Sequence, residues 1–172
     1  RIHLAEPLSE SDLADLGRRF GEAISETVWD ESSGSVRGTE ALRIGAITLL
    51  SKRSDISDEM AFPILANALR SKGLDTLSWS KEAKSLLNRN EWARKRSEGR
   101  SLPDLSDEWL AAHVEAWLLS FVPGARSLAT LKQQDLLSFL PALLTHQQRV
   151  WLDSFAPAYL SLVTGTQAWI QY

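Results

Sequence analysis

The chain has no cysteine among its 172 residues. Disulfide bonds, cysteine-based zinc sites and thiol nucleophiles are therefore excluded, and the composition fits a reducing cytoplasm. Long apolar runs are also missing, because none approaches the ~20 residues that a membrane-spanning helix requires. We therefore expect a cytoplasmic protein with no membrane partner.

The chain also has no excess of positive charge. The chain carries 19 Lys and Arg against 22 Asp and Glu, for a formal net charge of -3. This balance argues against broad binding of nucleic acid through bulk charge, although it leaves room for a local basic patch. The 44% hydrophobic and 24% charged fractions are close to those of globular proteins, so we expect a folded core.

The first third of the sequence predicts a strand, a helix and a hairpin. Apolar and polar residues alternate over residues 1–8, which predicts a strand. Ser9 with Asp12 forms a capping-box signature at the start of a helix predicted over 9–20. Residues 24–50 predict strand, turn, strand, with the turn in "ESSG". Because the chain opens on a strand and lacks an initiator methionine, we expect it to be cut from a longer protein.

Helical periodicity dominates from residue 54 onward and ends in a returning strand. Helices are predicted after Ser57, over 80–97, after Ser106 and after Thr145. The predicted fold class is α+β, a mostly helical block with a small antiparallel sheet from the N-terminal strand, the hairpin and the C-terminal strand. The predicted parts are 1–53, 54–160 and 161–172, together one compact unit.

No motif of an independent enzyme is present. "SDEMA" and "SDEWL" contain a Walker-B-like acidic pair, but each pair follows a serine and lacks the preceding apolar strand, so helix capping explains both. There is no phosphate-binding loop and no G-x-S-x-G nucleophile motif. The three histidines, His3, His113 and His146, lie far apart in the sequence. We predict no catalytic residue and no metal site.

The most uneven charge lies in residues 78–100, with seven basic residues against three acidic ones. Basic side chains around an aromatic ring could hold a phosphate backbone and stack a base. The alternative is a solvated helix face whose tryptophan packs on a neighbouring domain, which is the commoner case. The candidate nucleic-acid-binding residues of this segment are Lys81, Lys84, Arg89, Trp92, Lys95 and Arg96.

The predicted hairpin is a second candidate surface. Arg37 and Arg43 decorate it, and Trp29 lies in its first strand. Small barrels bind single strands with this mixture of cations and strand aromatics. A structural hairpin with solvent-facing cations explains the same pattern and is again the more common situation.

A long, ordered series of sequence blocks resembles one protein family. The chain is similar to the C-terminal accessory region, beyond the helicase core, of bacterial DEAH-box ATP-dependent helicases of the HrpB type. The blocks that carry the resemblance are "RIHLAEPLSESDLADL", "VWDESSGSVRG", "LRIGAITLL", "LDTLSWSKEA", "LPDLSDEWL", "EAWLLSFVPGARSLATL", "QQDLLSFLPALL" and "RVWLDSFAPAYLSLVTGTQAWIQY".

The resemblance implies an accessory domain that is not catalytic by itself. In this family two motor domains carry the motifs for ATP and magnesium, and none of those motifs maps onto a residue of this chain. No cofactor is therefore expected here. The implied partners are the motor domains of the same chain and single-stranded RNA. The alternative is a structural or protein-interaction module that braces the motor without touching nucleic acid.

Overall fold

The computed structural model of the chain describes residues 7–97, 101–163 and 165–172. The predicted strand over 1–8 lies mainly outside these described residues. The α-helices are α1 (Glu10–Phe20), α2 (Asp58–Lys72), α3 (Lys81–Arg96), α4 (Asp107–Ala112), α5 (Val114–Trp117), α6 (Leu128–Lys132) and α7 (His146–Phe155). The strands are β1 (Glu22–Asp30), β2 (Ser35–Ile44), β3 (Ile47–Ser54), β4 (Tyr159–Ser161) and β5 (Gln167–Trp169). This arrangement confirms the α+β class.

Short 3₁₀ turns connect several helices of the second half. They lie at Leu74–Thr76, Leu119–Phe121, Leu136–Ser138 and Leu140–Leu143. The helix predicted after Ser106 is accordingly broken, because α4 and α5 are separated at His113 and a 3₁₀ turn follows them.

The N-terminal sheet has three antiparallel strands in the order β1-β2-β3. The stretch 35–50, predicted as one strand, is in fact two strands with a tight turn between them. Gly45 adopts φ 56°, a left-handed conformation that glycine reaches without steric cost, so the chain reverses at this residue. The apolar run "RIGAITLL" is therefore a second hairpin.

The C-terminal strand does not join this sheet in the part of the chain that the structure describes. β4 and β5 pair with each other as a separate antiparallel hairpin, in which Tyr159 lies opposite Trp169. The prediction of one sheet built from both ends is thus wrong in this detail. A hairpin closed locally satisfies the backbone groups of a short terminal strand without a distant partner.

Most of the core forms one apolar cluster that spans the helices and the N-terminal sheet. Leu65 and Leu69 of α2 pack there with Trp117, which is fully buried, and β2 contributes Val36. The indole Nε1 of Trp117 donates a 2.8 Å hydrogen bond to the carbonyl oxygen of Leu110. A second, smaller cluster joins α3 and α7 through Ala93, Leu152 and their neighbours.

Helix starts follow the predicted capping chemistry with one exception. Ser9 and Thr145 form capping boxes, and Ser80 and Ser106 accept hydrogen bonds from backbone amides of their helices. Ser57 makes no such bond. At the start of α2, Asp58, which follows Ser57, forms a long-range contact instead.

That contact is the ion pair between Asp58 and Arg126. The Arg126 guanidinium lies 2.6 Å from the Asp58 carboxylate and also donates to the carbonyl oxygen of Ile56. The Gly124 amide donates to the same carboxylate. Hydrogen bonds from Arg126, and next from Gly124, lower the pKa of Asp58 from its ordinary value of 3.8. Asp58 therefore ties the α2 terminus to the loop before α6.

We predict that Asp58→Asn lowers the melting temperature more than Asp107→Asn does. Both residues open a helix after a serine and interact with its dipole, but Asp107 has no ion pair among the described residues. Because the pKa of folded Asp58 is depressed, its stabilisation is present above 3.8 and is lost as the pH falls through the lower folded-state value. Thermal melts followed by circular dichroism over a pH series measure both effects. Equal losses for the two variants at neutral pH would contradict the prediction.

Candidate nucleic-acid interface

Helix α3 presents the predicted basic segment. Ser80 caps it by accepting from the Ala83 amide at 3.1 Å. Its inner face includes the small residues Ala83 and Ala93, which are fully buried. On the same helix the buried Asn90 side-chain amide donates a 2.9 Å hydrogen bond to the carbonyl oxygen of Pro103. The cations of α3 fall into three groups by their surroundings, apart from Arg96, which lies over the ring of Trp92.

Arg89 belongs to the first group, which supports the fold. It is 6% exposed, and its guanidinium donates to the Ala156 carbonyl oxygen and to the Asp153 carboxylate, each at 2.5 Å. These contacts fasten α3 to α7. Burial leaves Arg89 almost no surface for a phosphate, so it is removed from the candidate nucleic-acid surface.

Trp92 also has a packing role. Its ring contacts Phe155 and Tyr172 at centroid distances of 5.7 Å and 5.2 Å. The Arg96 guanidinium lies 4.7 Å from the ring centroid. Trp92 is therefore half-buried against residues of the same chain, whereas the packing alternative placed it on a neighbouring domain, and Arg96 lies over its ring.

The second group of cations is paired on the helix surface. Glu91 lies 2.9 Å from Arg94 and 3.1 Å from Lys95. The hydrogen bond from Arg94, followed by that from Lys95, lowers the pKa of Glu91 below its ordinary value. Glu91 stays ionised at neutral pH, so a phosphate would have to compete with it for Lys95.

Lys81 and Lys84 form the third group. Both are exposed on the first turns of α3, and neither has a carboxylate partner within the described parts of the chain. They line one wall of a cleft of about 810 Å³, together with Trp79 and Asn88. We call this hollow the α3 cleft.

The opposite wall of the α3 cleft comes from the C-terminal end, residues 169–172. Trp169 is half-buried in this wall, and the Lys81 ammonium sits 4.5 Å from its ring centroid. Tyr172 is part of this wall and is anchored there, because its hydroxyl donates a 2.7 Å hydrogen bond to the carbonyl oxygen of Pro157 and its ring packs on Trp92.

The surface beyond Lys84 has the opposite charge. A neighbouring hollow of about 350 Å³ is lined by the carboxylates Asp75, Glu91 and Asp107. An anion is therefore repelled on that side and attracted on the side of Lys81 and Trp169. The α3 cleft has the more favourable electrostatic environment for a phosphate backbone.

The cations of the hairpin are paired across its strands. Arg37 lies 2.8 Å from Asp30, and Arg43 lies 3.1 Å from Glu26. Hydrogen bonds from Ser32 and Ser33, with a smaller effect of Arg37, lower the pKa of Asp30 to about 2, so this carboxylate stays charged. The hairpin thus satisfies its own cations, and RNA contact by Arg37 or Arg43 remains a prediction.

Sequence reasoning missed the aromatic half of the α3 cleft. Trp169 lies 88 positions after Lys81 in the sequence, and no local pattern connects the two. Trp79 lies just before α3 and contributes to both the core and the cleft. Only the fold of the C-terminal segment brings these rings beside the lysines.

The residues that the structure describes contain neither a cluster of metal ligands nor a membrane-spanning helix. In these ranges no three histidine or acidic side chains come together in a way that could hold a metal ion. None of the helices there combines the length and apolarity needed to cross a membrane.

Comparison with known proteins identifies the resemblance. The chain is 35% identical, over 94% of its residues, to the ATP-dependent RNA helicase HrpB of Escherichia coli strain K12. A crystal structure of the Escherichia coli DEAH/RHA helicase HrpB superposes with a TM-score of 0.65 at 31% identity, covering 90% of this chain. A crystal structure of the E. coli DExH-box NTPase HrpB gives a TM-score of 0.66 at 29% identity, covering 96% of this chain. The resemblance predicted from the sequence is confirmed.

The match is to a segment of those proteins. The chain spans only 20% of the curated relative and 20% and 21% of the two crystallised chains. The chain matches no protein-family model.

We predict that Arg89→Leu destabilises the chain by about 1–3 kcal/mol, because the buried carbonyl oxygen of Ala156 loses its donor. The Asp153 side chain is 71% exposed and regains water, so it adds little to the loss. Arg94→Leu is the matched control, since Arg94 is paired with Glu91 on the surface of the same helix, and little change is expected. Urea unfolding measures both variants, and an Arg89 variant as stable as the control would overturn the structural role.

Proposed function

We propose that this chain is a non-catalytic accessory region of an HrpB-like ATP-dependent RNA helicase, and that it helps to hold single-stranded RNA beside the motor. In this proposal the segment lies in the C-terminal part of the parent. ATP and magnesium act in the motor domains, which are the partners of this region within the same chain.

The α3 cleft is the observation that carries the proposal. It combines two exposed lysines, Lys81 and Lys84, with two tryptophans, Trp79 and Trp169. Proteins that bind single strands use this combination, in which cations follow the phosphates and aromatic rings face the bases. Of the other cations of α3, Arg89 is buried, Arg94 and Lys95 pair with Glu91, and Arg96 lies over Trp92. Only the α3 cleft brings two lysines without a carboxylate partner in the described residues together with two tryptophans.

A structural brace is the second candidate function. Large apolar side chains are exposed on the N-terminal sheet, with Ile47 at 66%, Leu50 at 52% and Val28 at 49%. A neighbouring domain that covers them would explain this exposure without any RNA contact. The two functions differ in one measurable property, because only RNA binding depends on the cations of the cleft.

We predict that the Lys81→Gln/Lys84→Gln variant loses affinity for fluorescein-labelled oligouridylate, and that its affinity depends less steeply on salt. Each lysine that contacts a phosphate releases counterions from the strand when it binds. For each contact that is lost, the slope of log affinity against log salt concentration therefore becomes shallower by roughly 0.7 for a single strand. Fluorescence anisotropy at low and moderate salt measures both quantities.

The Arg19→Gln/Lys132→Gln variant is the control. It removes the same charge from exposed positions on α1 and α6, away from the cleft. An equal loss in this control would indicate binding through net charge alone. Failure of the folded wild-type chain to bind oligouridylate at low salt would reject RNA contact and favour the brace.

A further inference from the structure

We propose that Trp169 is a stacking platform for one base of single-stranded RNA, and that Lys81 covers its ring until the RNA arrives. This inference rests on the proposed function and specifies the ligand of the α3 cleft. The cleft would then recognise an unpaired nucleotide through its base as well as its phosphate, which a purely electrostatic surface cannot do.

The surroundings of Trp169 support this assignment. The Lys81 ammonium sits 4.5 Å from the Trp169 ring centroid, and Tyr159 packs on the same ring at 4.4 Å with an angle of 50° between the planes. Tyr159 and the backbone of the β4–β5 hairpin hold the indole from the protein side. The contact made by Lys81 is different in kind, because this side chain is long, flexible and exposed.

An ammonium over the half-buried Trp169 indole is a weak and replaceable contact. Stacking of a base on the same ring is stronger and tolerates any base, because every base has a flat aromatic face. If a base takes the place of Lys81, the ammonium is released within reach of the phosphate that follows. In this exchange the base covers the Trp169 ring in place of Lys81, and the ammonium pairs with the phosphate.

The dimensions of the α3 cleft suit a nucleotide. Its volume of about 810 Å³ lies within the usual range for pockets that hold small organic ligands. Asn88 lies on the wall and offers both a donor and an acceptor to a base edge. Ser85, which also lines the cleft, has a buried hydroxyl with no hydrogen-bond partner among the described residues.

Stacking on Trp169 requires a base whose flat face is not covered by a neighbouring base, and this requirement selects single-stranded RNA as the ligand. In duplex RNA each base is paired and stacked on its neighbours, so none is available to an indole on the protein surface. Single-stranded segments present unstacked bases together with their phosphates. The α3 cleft, with aromatic rings beside lysines, therefore fits single-stranded RNA better than a duplex.

The C-terminal wall is held in place by contacts with Pro157 and Trp92, which do not line the cleft. Tyr172 is anchored by its hydrogen bond to Pro157 and by its edge contact with Trp92. Trp92, which the sequence suggested as a stacking group, acts in this proposal as a positioning residue for the wall that carries Trp169.

The test compares two labelled probes that differ only in their bases. One is a short oligouridylate, and the other is an abasic ribose-phosphate strand of the same length. The full 172-residue chain is titrated with each probe by fluorescence anisotropy at low salt. We expect the wild-type chain to prefer the base-bearing strand by roughly tenfold.

We expect Trp169→Leu to abolish this preference, because it weakens binding of the base-bearing strand far more than binding of the abasic strand, and Trp169→Phe to retain most of the preference. Trp109→Leu is the control, because Trp109 is a partly exposed tryptophan outside the cleft that stacks on His113. Circular dichroism establishes that each variant is folded before it is titrated.

The outcomes separate the inference from the proposed function. Equal affinity for both probes, or an undiminished preference in a folded Trp169→Leu variant, would overturn the stacking role. If Lys81→Gln/Lys84→Gln still weakened binding in that case, the proposed RNA contact would stand. A wild-type chain that binds neither probe would overturn both.

Discussion

The ion pair between Asp58 and Arg126 sets the position of the N-terminal sheet against the helical block. Arg126 reaches the Asp58 carboxylate and the carbonyl oxygen of Ile56, which lie at the junction between β3 and α2. The backbone around Arg126 also pairs with the start of β2, since the Val36 amide donates 2.7 Å to the Arg126 carbonyl oxygen. One short loop thereby joins two parts of the chain that are far apart in sequence, and Val36 enters the main core as a result.

The α3 cleft depends on a second set of contacts at the other end of the molecule. Arg89 fastens α3 to α7, and Trp92 provides a surface against which Tyr172 is packed. Neither residue lies free on the surface, yet both determine where the two walls of the cleft stand. Lys81 and Lys84 are therefore displayed by a helix whose inner face is fixed by buried contacts of Arg89, Asn90 and Ala93.

The cations of α3 have different roles because their neighbours differ. Arg89 is buried against a backbone carbonyl, Lys95 is paired with Glu91, and Lys84 has an acidic hollow on one side and the cleft on the other. A guanidinium makes several directional hydrogen bonds, which suits it to a buried junction, whereas an ammonium remains solvated on a flexible stem. Two lysines at the mouth of a cleft are for this reason better suited to hold an exchangeable phosphate than the arginines around them.

The sequence by itself determined the local elements and the family resemblance. The capping box of Ser9 and Asp12, the helix over 80–97 and the start of α7 follow from contacts between residues a few positions apart, so periodicity and capping chemistry predict them. Only the tertiary structure decided the roles of the charged and aromatic side chains. The burial of Arg89, the separate C-terminal hairpin and the meeting of Lys81 with Trp169 depend on which distant segments pack together. Local sequence patterns do not predict such pairings, because burial and charge pairing depend on which residues are neighbours in space.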